Sequence, residues 1–238
     1  MVYRTSSYPF TMSLHDRWVQ ERKHEHYYKL AKKLHYRSRA SFKLMQIDER
    51  FNIFREGDSV VDLGASPGGW LQVAKERVGD GGRVVGVDLR YIRPLDGVVT
   101  IIGDITEDGT MRELLETVGG KADIVLSDMA PNIGGSYSTD HARSVDLCMY
   151  AVAVCDRILK KGGRMVVKVF MGDMTDSLLK ELEQRFVSVK VHSPAASRDT
   201  SSEVYVICKG FLASKNVKLK DMREEEKRPE FMPKGGNI

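Results

Sequence analysis

Val60-Val61-Asp62-Leu63-Gly64-Ala65-Ser66-Pro67-Gly68-Gly69-Trp70 reads as a β-strand, a glycine-rich turn and the first residues of a helix. Glycine has no Cβ, so such a turn can bring backbone N–H groups close to a ligand at a helix N-terminus. A dinucleotide fingerprint would run G-x-G-x-x-G. Here the glycines run G-x-x-x-G-G with Pro67 among them, a poor match to a pyrophosphate cradle.

Outward from this turn, short β-branched runs alternate with helical patterns, which predicts a parallel sheet with crossover helices. The strands are expected at Val60–Leu63, Val84–Asp88, Val98–Ile102, Ile124–Ser127, Met165–Phe170, Val187–Val191 and Val204–Cys208. Helices are expected near Arg39–Phe54, Trp70–Val78, Met111–Val118, His141–Leu159 and Met174–Phe186, with Lys160–Gly163 as a helix stop. His192–Glu203 has no helical pattern, so the last two strands should form an antiparallel hairpin. The expected fold is α/β and Rossmann-like, a seven-stranded, mostly parallel sheet with an antiparallel last strand.

The carboxylates cluster where such a sheet binds ligands. Asp88 ends the second strand, where it can accept hydrogen bonds from a ribose diol, and Asp104 follows the third, where it can meet an adenine amine. Asp62 lies at the end of the first strand and can support the loop. Acids closing three successive strands suggest a nucleoside without phosphates, and an adenosyl group joined to methionine fits. Each of these acids could equally serve as a helix N-cap.

Four more charges lie in apolar surroundings. Lys168 interrupts Met165–Phe170, Asp128 ends Ile124–Asp128, Glu203 opens the last strand, and Lys43 lies in Arg37–Leu44. Burying an unpaired ammonium is costly, so Lys168 is the least easily explained as structure alone. Strands four and five are neighbours in a doubly wound sheet, which lets Asp128 and Lys168 meet at the carboxyl edge.

Composition narrows the classes. The 238 residues carry no apolar run of the roughly 18 residues that a membrane span needs. Met1–Met12 has no apolar core of a secretory signal, so a cytoplasmic location is expected. The three cysteines, Cys148, Cys155 and Cys208, have no metal-ligand spacing, and no metal is expected. Residues 1–50 hold eleven Lys/Arg against five Asp/Glu, a net +6, while the whole chain carries +4. His15, His24, His26, His35, Trp18, Tyr27, Tyr28 and Tyr36 are interleaved with these cations. A basic, aromatic segment suits a phosphate backbone, and it equally suits a solvated amphipathic helix. The candidate grips are Arg17, Lys23, Lys29, Lys32, Lys33, Arg37, Arg39 and Arg198. The loop Asn132–Asp140 is expected to close over a target or to be a surface connection. Residues 1–36 read as a basic extension, 37–210 as the central domain and 211–238 as a charged tail.

Taken together, Asp16-Arg17-Trp18, Arg37-Ser38-Arg39-Ala40, Val61–Trp70, Ser127–Asn132, Val166–Phe170, Ser197-Arg198 and Glu203-Val204-Tyr205 resemble the FtsJ/RrmJ-type ribosomal RNA 2′-O-ribose methyltransferases, the large-subunit methyltransferase E family. The resemblance runs from about Asp16 to Gly210. It implies a Lys43-Asp128-Lys168-Glu203 tetrad and S-adenosyl-L-methionine contacts at Gly68, Trp70, Asp88, Asp104 and Asp128. It also implies large-subunit ribosomal RNA, free or in the assembled subunit, as substrate, with a uridine as the acceptor. No obligate protein partner and no membrane are expected. Ser66 stands where many relatives carry Ala, and the tail is too short and polar for the RNA-binding β-barrel that some archaeal relatives append. In the implied mechanism Lys168 removes the proton of the 2′-hydroxyl. Desolvation and neighbouring cations favour its neutral amine, while Asp128 favours the ammonium. The alternatives are Lys168 as a charged steering group, a transfer RNA substrate, a non-catalytic RNA-binding assembly factor and, less compatible with Pro67, a nucleotide-dependent oxidoreductase.

Overall fold

Residues 25–132, 134–197 and 202–212 are described in a computed structural model. Helix α1 is Ala40–Phe51 and is preceded by a helical segment over 25–33. Then follow β1 (Ser59–Leu63), α2 (Gly69–Val78), β2 (Arg83–Asp88), β3 (Val98–Ile102), α3 (Asp108–Val118), β4 (Ala122–Ser127) and α4 (Tyr137–Ile158). The chain continues as β5 (Leu159–Phe170), α5 (Thr175–Glu183), β6 (Phe186–His192) and β7 (Glu203–Phe211). The seven strands form one sheet in the order β3-β2-β1-β4-β5-β7-β6. All the expected strands are present. The strand turned against the rest is β7, inserted between β5 and β6 and antiparallel to both.

The central strands are apolar on both faces because helices cover both faces, whereas the edge strands β3 and β6 leave Val99, Ile102, Val187 and Val191 exposed. Alternate residues of each strand enter opposite layers. Val61, Val85, Val125, Val167 and Val206 pack with α3, α4 and α5. Val60, Val84, Ile124, Val166 and Ile207 pack with Leu44 and Ile47 of α1 and Leu71 and Ala74 of α2. This parity decides where the polar residues go. Lys168 has the parity of Val166, and Glu203 that of Tyr205 and Ile207, so both belong to the α1 face.

The helix expected to Phe54 ends at Phe51, the one expected to Phe186 ends at Glu183 because Phe186 opens β6, and both ends of α4 differ from expectation. Lys160–Gly163 is not a helix stop but the bulged start of β5. Leu159 pairs with Ala122, the register then shifts, and Arg164 pairs with Ile124. Helix α4 ends at Ile158 because Leu159 is already extended, with φ −77° and ψ 135°. At its other end α4 begins at Tyr137, so Tyr137–Asp140 is helix rather than loop.

Arg164, at the start of the central part of β5, is buried against Asp58, with Nη2 2.9 Å from Oδ1, and also donates to the Ile53 carbonyl. This pair ties the turn after α1 to the amino edge of the sheet, leaving the carboxyl edge to carry the site.

Candidate functional site

A cleft of about 820 Å³ opens along the carboxyl edge of β1–β4, within the size range of small-molecule sites. Its walls include Leu63, Gly64, Asp88, Asp104, Asp128 and, from α4, Tyr150. The Asp88 carboxylate is held by the backbone N–H groups of Ser66 at 2.9 Å and Arg90 at 2.8 Å. Asp104 is held by the N–H of Thr106 at 2.9 Å and its hydroxyl at 2.7 Å. Both acids keep lone pairs for a further donor and are fixed before one arrives. Gly64, at φ +71°, is required here: a Cβ would stand 2.5 Å from Cγ of Met129, the residue after Asp128.

Gly68 and Trp70 lie apart from these walls. A Cβ on Gly68, at φ +102°, would meet Nη1 of Arg37 at 2.9 Å. Trp70 is buried, and its indole N–H donates to the Ala40 carbonyl at 2.8 Å. The second half of the glycine-rich turn thus serves the approach of the segment before α1. Asp62 is fully buried beneath the cleft, and neither of its carboxylate oxygens has a hydrogen-bond partner. Burial, then the charges of Asp128 and Asp88, push its carboxyl well above the usual range.

Asp128 is shared between the cleft and a second cluster. Lys168 Nζ lies 3.0 Å from Asp128 Oδ1 and donates to the Asp128 carbonyl at 2.6 Å. Lys43, from α1, lies 2.5 Å from Glu203 Oε1. The expected tetrad therefore assembles as two ion pairs, each with a lysine buried on the α1 face. Burial opposes ionisation of Glu203, but Lys43, Lys168 and the Ser197 hydroxyl outweigh it and hold the carboxyl below its usual range.

The two pairs meet at Tyr205, which in the sequence stands out only as part of a motif. Its hydroxyl donates to Asp128 Oδ1 at 2.8 Å, accepts from Lys43 Nζ at 3.2 Å and lies 3.3 Å from Glu203 Oε1. The ring is completely buried, its centroid 5.7 Å from that of Trp70. Burial, Asp128 and Glu203 all push the phenol upward, so Tyr205 stays a neutral donor. The usable signal is alternation: Tyr205 shares the parity of Glu203 and pairs in register with Lys168.

Of the candidate RNA grips, Arg17, Lys23 and Arg198 lie outside the described residues. Lys32 and Lys33 are exposed, and Lys29, also exposed, pairs with Glu25 at 2.7 Å. Arg37 differs from expectation, since its guanidinium is spent on the carbonyls of Pro67, Arg93 and Pro94. The three cysteines are free and buried, and burial pushes the Cys148 thiol up to about 12, which makes it inert. Among the described residues no cluster of His, Cys, Asp and Glu could hold a metal ion, and no helix could cross a membrane.

Residues 36–211 match the family model described as FtsJ-like methyltransferase. The chain is 51% identical over 190 residues to a ribosomal RNA large subunit methyltransferase E of Methanothrix thermoacetophila, covering 80% of this chain and 74% of the relative. It is 54% identical over 191 residues to the protein of the same description from Methanosarcina acetivorans, covering 80% and 70%. A crystal structure assigned as a ribosomal RNA methyltransferase from Plasmodium falciparum superposes with a TM-score of 0.69 at 30% identity, covering 75% of this chain and all of that one.

Proposed function

This chain belongs to the FtsJ-like methyltransferase family, and from that premise we propose that it methylates a ribose 2′-oxygen in large-subunit ribosomal RNA, using S-adenosyl-L-methionine. The acceptor is a uridine, presented in the cytoplasm on free RNA or on the assembled subunit. Residues 37–210 carry the reaction, the basic extension 1–36 contributes RNA affinity and 211–238 is an accessory tail. One observation carries the reading: a cluster holding Lys168, Asp128, Tyr205, Glu203 and Lys43 stands at the edge of an acid-lined cleft, with Asp128 common to both.

The cleft suits the donor. Asp88 and Asp104 have free lone pairs for the ribose diol and the adenine amine, the Asp128 carboxylate favours a cationic methionine end, and Asp62, buried beneath the cleft, supports the loop. Gly68 and Trp70, outside the cleft walls, act on this set only indirectly, by seating the segment before α1. When bound, the cofactor supplies a methyl group on a sulfonium, already a good leaving group, so the protein's tasks are alignment and removal of one proton. Lys168 is the base, and Asp128 holds it at the cleft edge by two contacts. Lys43 and Glu203, joined through Tyr205, fix the wall against which the ribose rests.

The test is transfer of labelled methyl to undermethylated large ribosomal subunits and to bulk transfer RNA, side by side. Label in the ribosomal RNA is expected. Label confined to transfer RNA would keep the chemistry and replace the substrate. No transfer to either, with the cofactor still bound, would favour a non-catalytic assembly role.

A further inference from the structure

Beyond the cluster, β5 continues past Lys168 into a tightly held turn, Met171-Gly172-Asp173-Met174, that exposes two methionines beside one aspartate. The strand pairing extends one residue past its end, because the Met171 N–H donates to the Ser202 carbonyl at 2.8 Å, beside Glu203. His141, buried beneath the turn, receives its backbone on both ring nitrogens. Nδ1–H donates to the Phe170 carbonyl at 2.8 Å, and Nε2 accepts from the Met174 N–H at 3.0 Å. Gly172 lies against this ring, where a Cβ would stand 2.5 Å from Cδ2. Tyr137, from the first turn of α4, donates its hydroxyl to the Met171 carbonyl.

The result is three large apolar side chains left in solvent on a fixed backbone: Tyr137 at 63%, Met171 at 40% and Met174 at 43% exposure. Tyr137 has its hydroxyl satisfied and its ring bare, so stacking on it would cost little side-chain entropy. Met171 follows Lys168 by three residues, roughly 10 Å at about 3.3 Å per residue. A ribose whose 2′-hydroxyl meets Lys168 therefore puts its own base, or that of the next nucleotide, within reach of this turn.

Resting on the proposed reaction, we infer that Tyr137, with Met171 and Met174 beside it, is a stacking platform for an unpaired RNA base at or next to the methylated nucleotide. Every base has a π-face, so the platform supplies affinity and registers the strand without reading sequence. It also requires the target to be unpaired, because a base inside a duplex offers no free face.

The test uses the full chain, S-adenosyl-L-methionine and large-subunit RNA on which wild-type transfer has been mapped. Tyr137→Ala should raise the RNA concentration for half-maximal transfer between about 5- and 100-fold. Cofactor affinity, by equilibrium dialysis, and the rate at saturating RNA should be unchanged. Tyr137→Phe, which keeps the ring, should stay within about threefold of wild type by the same stacking argument. An abasic site at the stacked position should penalise the wild type by the factor seen for Tyr137→Ala and add nothing to that variant. Unchanged RNA dependence in Tyr137→Ala, or abasic penalties that multiply with the mutation, would overturn the platform while leaving the reaction standing. Wild-type protein that labels no RNA would overturn the reaction, and the platform with it.

Discussion

Replacing Tyr205 by Phe removes one oxygen from the point where the two ion pairs meet and leaves the buried ring against Trp70. The hydroxyl has one proton, and the 2.8 Å contact to Asp128 outcompetes the 3.3 Å contact to Glu203. A hydrogen bond to a charged partner contributes about 1.5–3 kcal/mol. Removing the 3.2 Å hydrogen bond from Lys43 matters less, because Lys43 keeps Glu203 at 2.5 Å and no ammonium is orphaned. The expected loss of stability is therefore about 2 kcal/mol, or roughly 4–8 °C in Tm for a domain of this size. If the same energy is needed to hold Asp128 and Lys168 during transfer, the rate falls up to about 30-fold.

A second readout separates positioning from mere loosening. Without the phenol, Asp128 loses the donor that fixes Oδ1 and Lys168 loses its fixed partner, so the single-turnover rate should fall at every pH while cofactor affinity is unchanged. The assays are thermal unfolding by circular dichroism and labelled-methyl transfer at saturating cofactor across pH 6–10. A Tyr205→Phe protein that loses stability but keeps the wild-type rate across that range would refute the coupling of the two pairs.

Other substitutions give further checks. Arg164→Met would leave Asp58 charged and buried, costing about 3–5 kcal/mol and roughly 6–20 °C in Tm; an unchanged Tm in a heating scan would contradict the pairing. Glu203 has a lowered folded value, so its stabilisation is present above the ordinary glutamate value of 4.5 and is lost as pH falls through the folded value. The Tm deficit of Glu203→Gln should thus be clear at pH 7 and shrink below pH 4.5; a deficit independent of pH would argue for packing instead. Lys32→Ala with Lys33→Ala should weaken RNA binding evenly across sequences and flatten its salt slope by about 1 for each phosphate no longer neutralised; an unaltered slope would remove the two lysines from the interface.

The sheet is legible in the sequence because its strands are short β-branched runs between glycine-rich turns and amphipathic helices, and periodicity reads that alternation directly. Pairing strands four and five is enough to bring Asp128 to Lys168. The meeting of Lys43 with Glu203 requires knowing that β7 inserts beside β5, a long-range fact that no local pattern carries. Only then does parity put Glu203 and Tyr205 on the face that α1 covers. Lys160–Gly163 misleads because lysines before paired glycines suit a helix end and a bulged strand equally, and the left-handed Gly162 fits both. Arg37 looks like an RNA grip by charge alone, yet three carbonyls converge on it from the turn before α2 and from the stretch after β2.

The proposed reaction turns on Lys168, held by Asp128 at the cleft edge, taking the proton from a ribose 2′-hydroxyl. Mapping the methylated linkage by its resistance to alkaline cleavage reports that step directly, for wild type and Lys168→Ala, with cofactor binding followed in parallel. One resistant linkage in large-subunit RNA is expected with wild type, reduced about 100-fold or more in Lys168→Ala, with undiminished cofactor binding in both. Methyl recovered on a base, or a Lys168→Ala enzyme that protects the linkage at the wild-type rate, would contradict it.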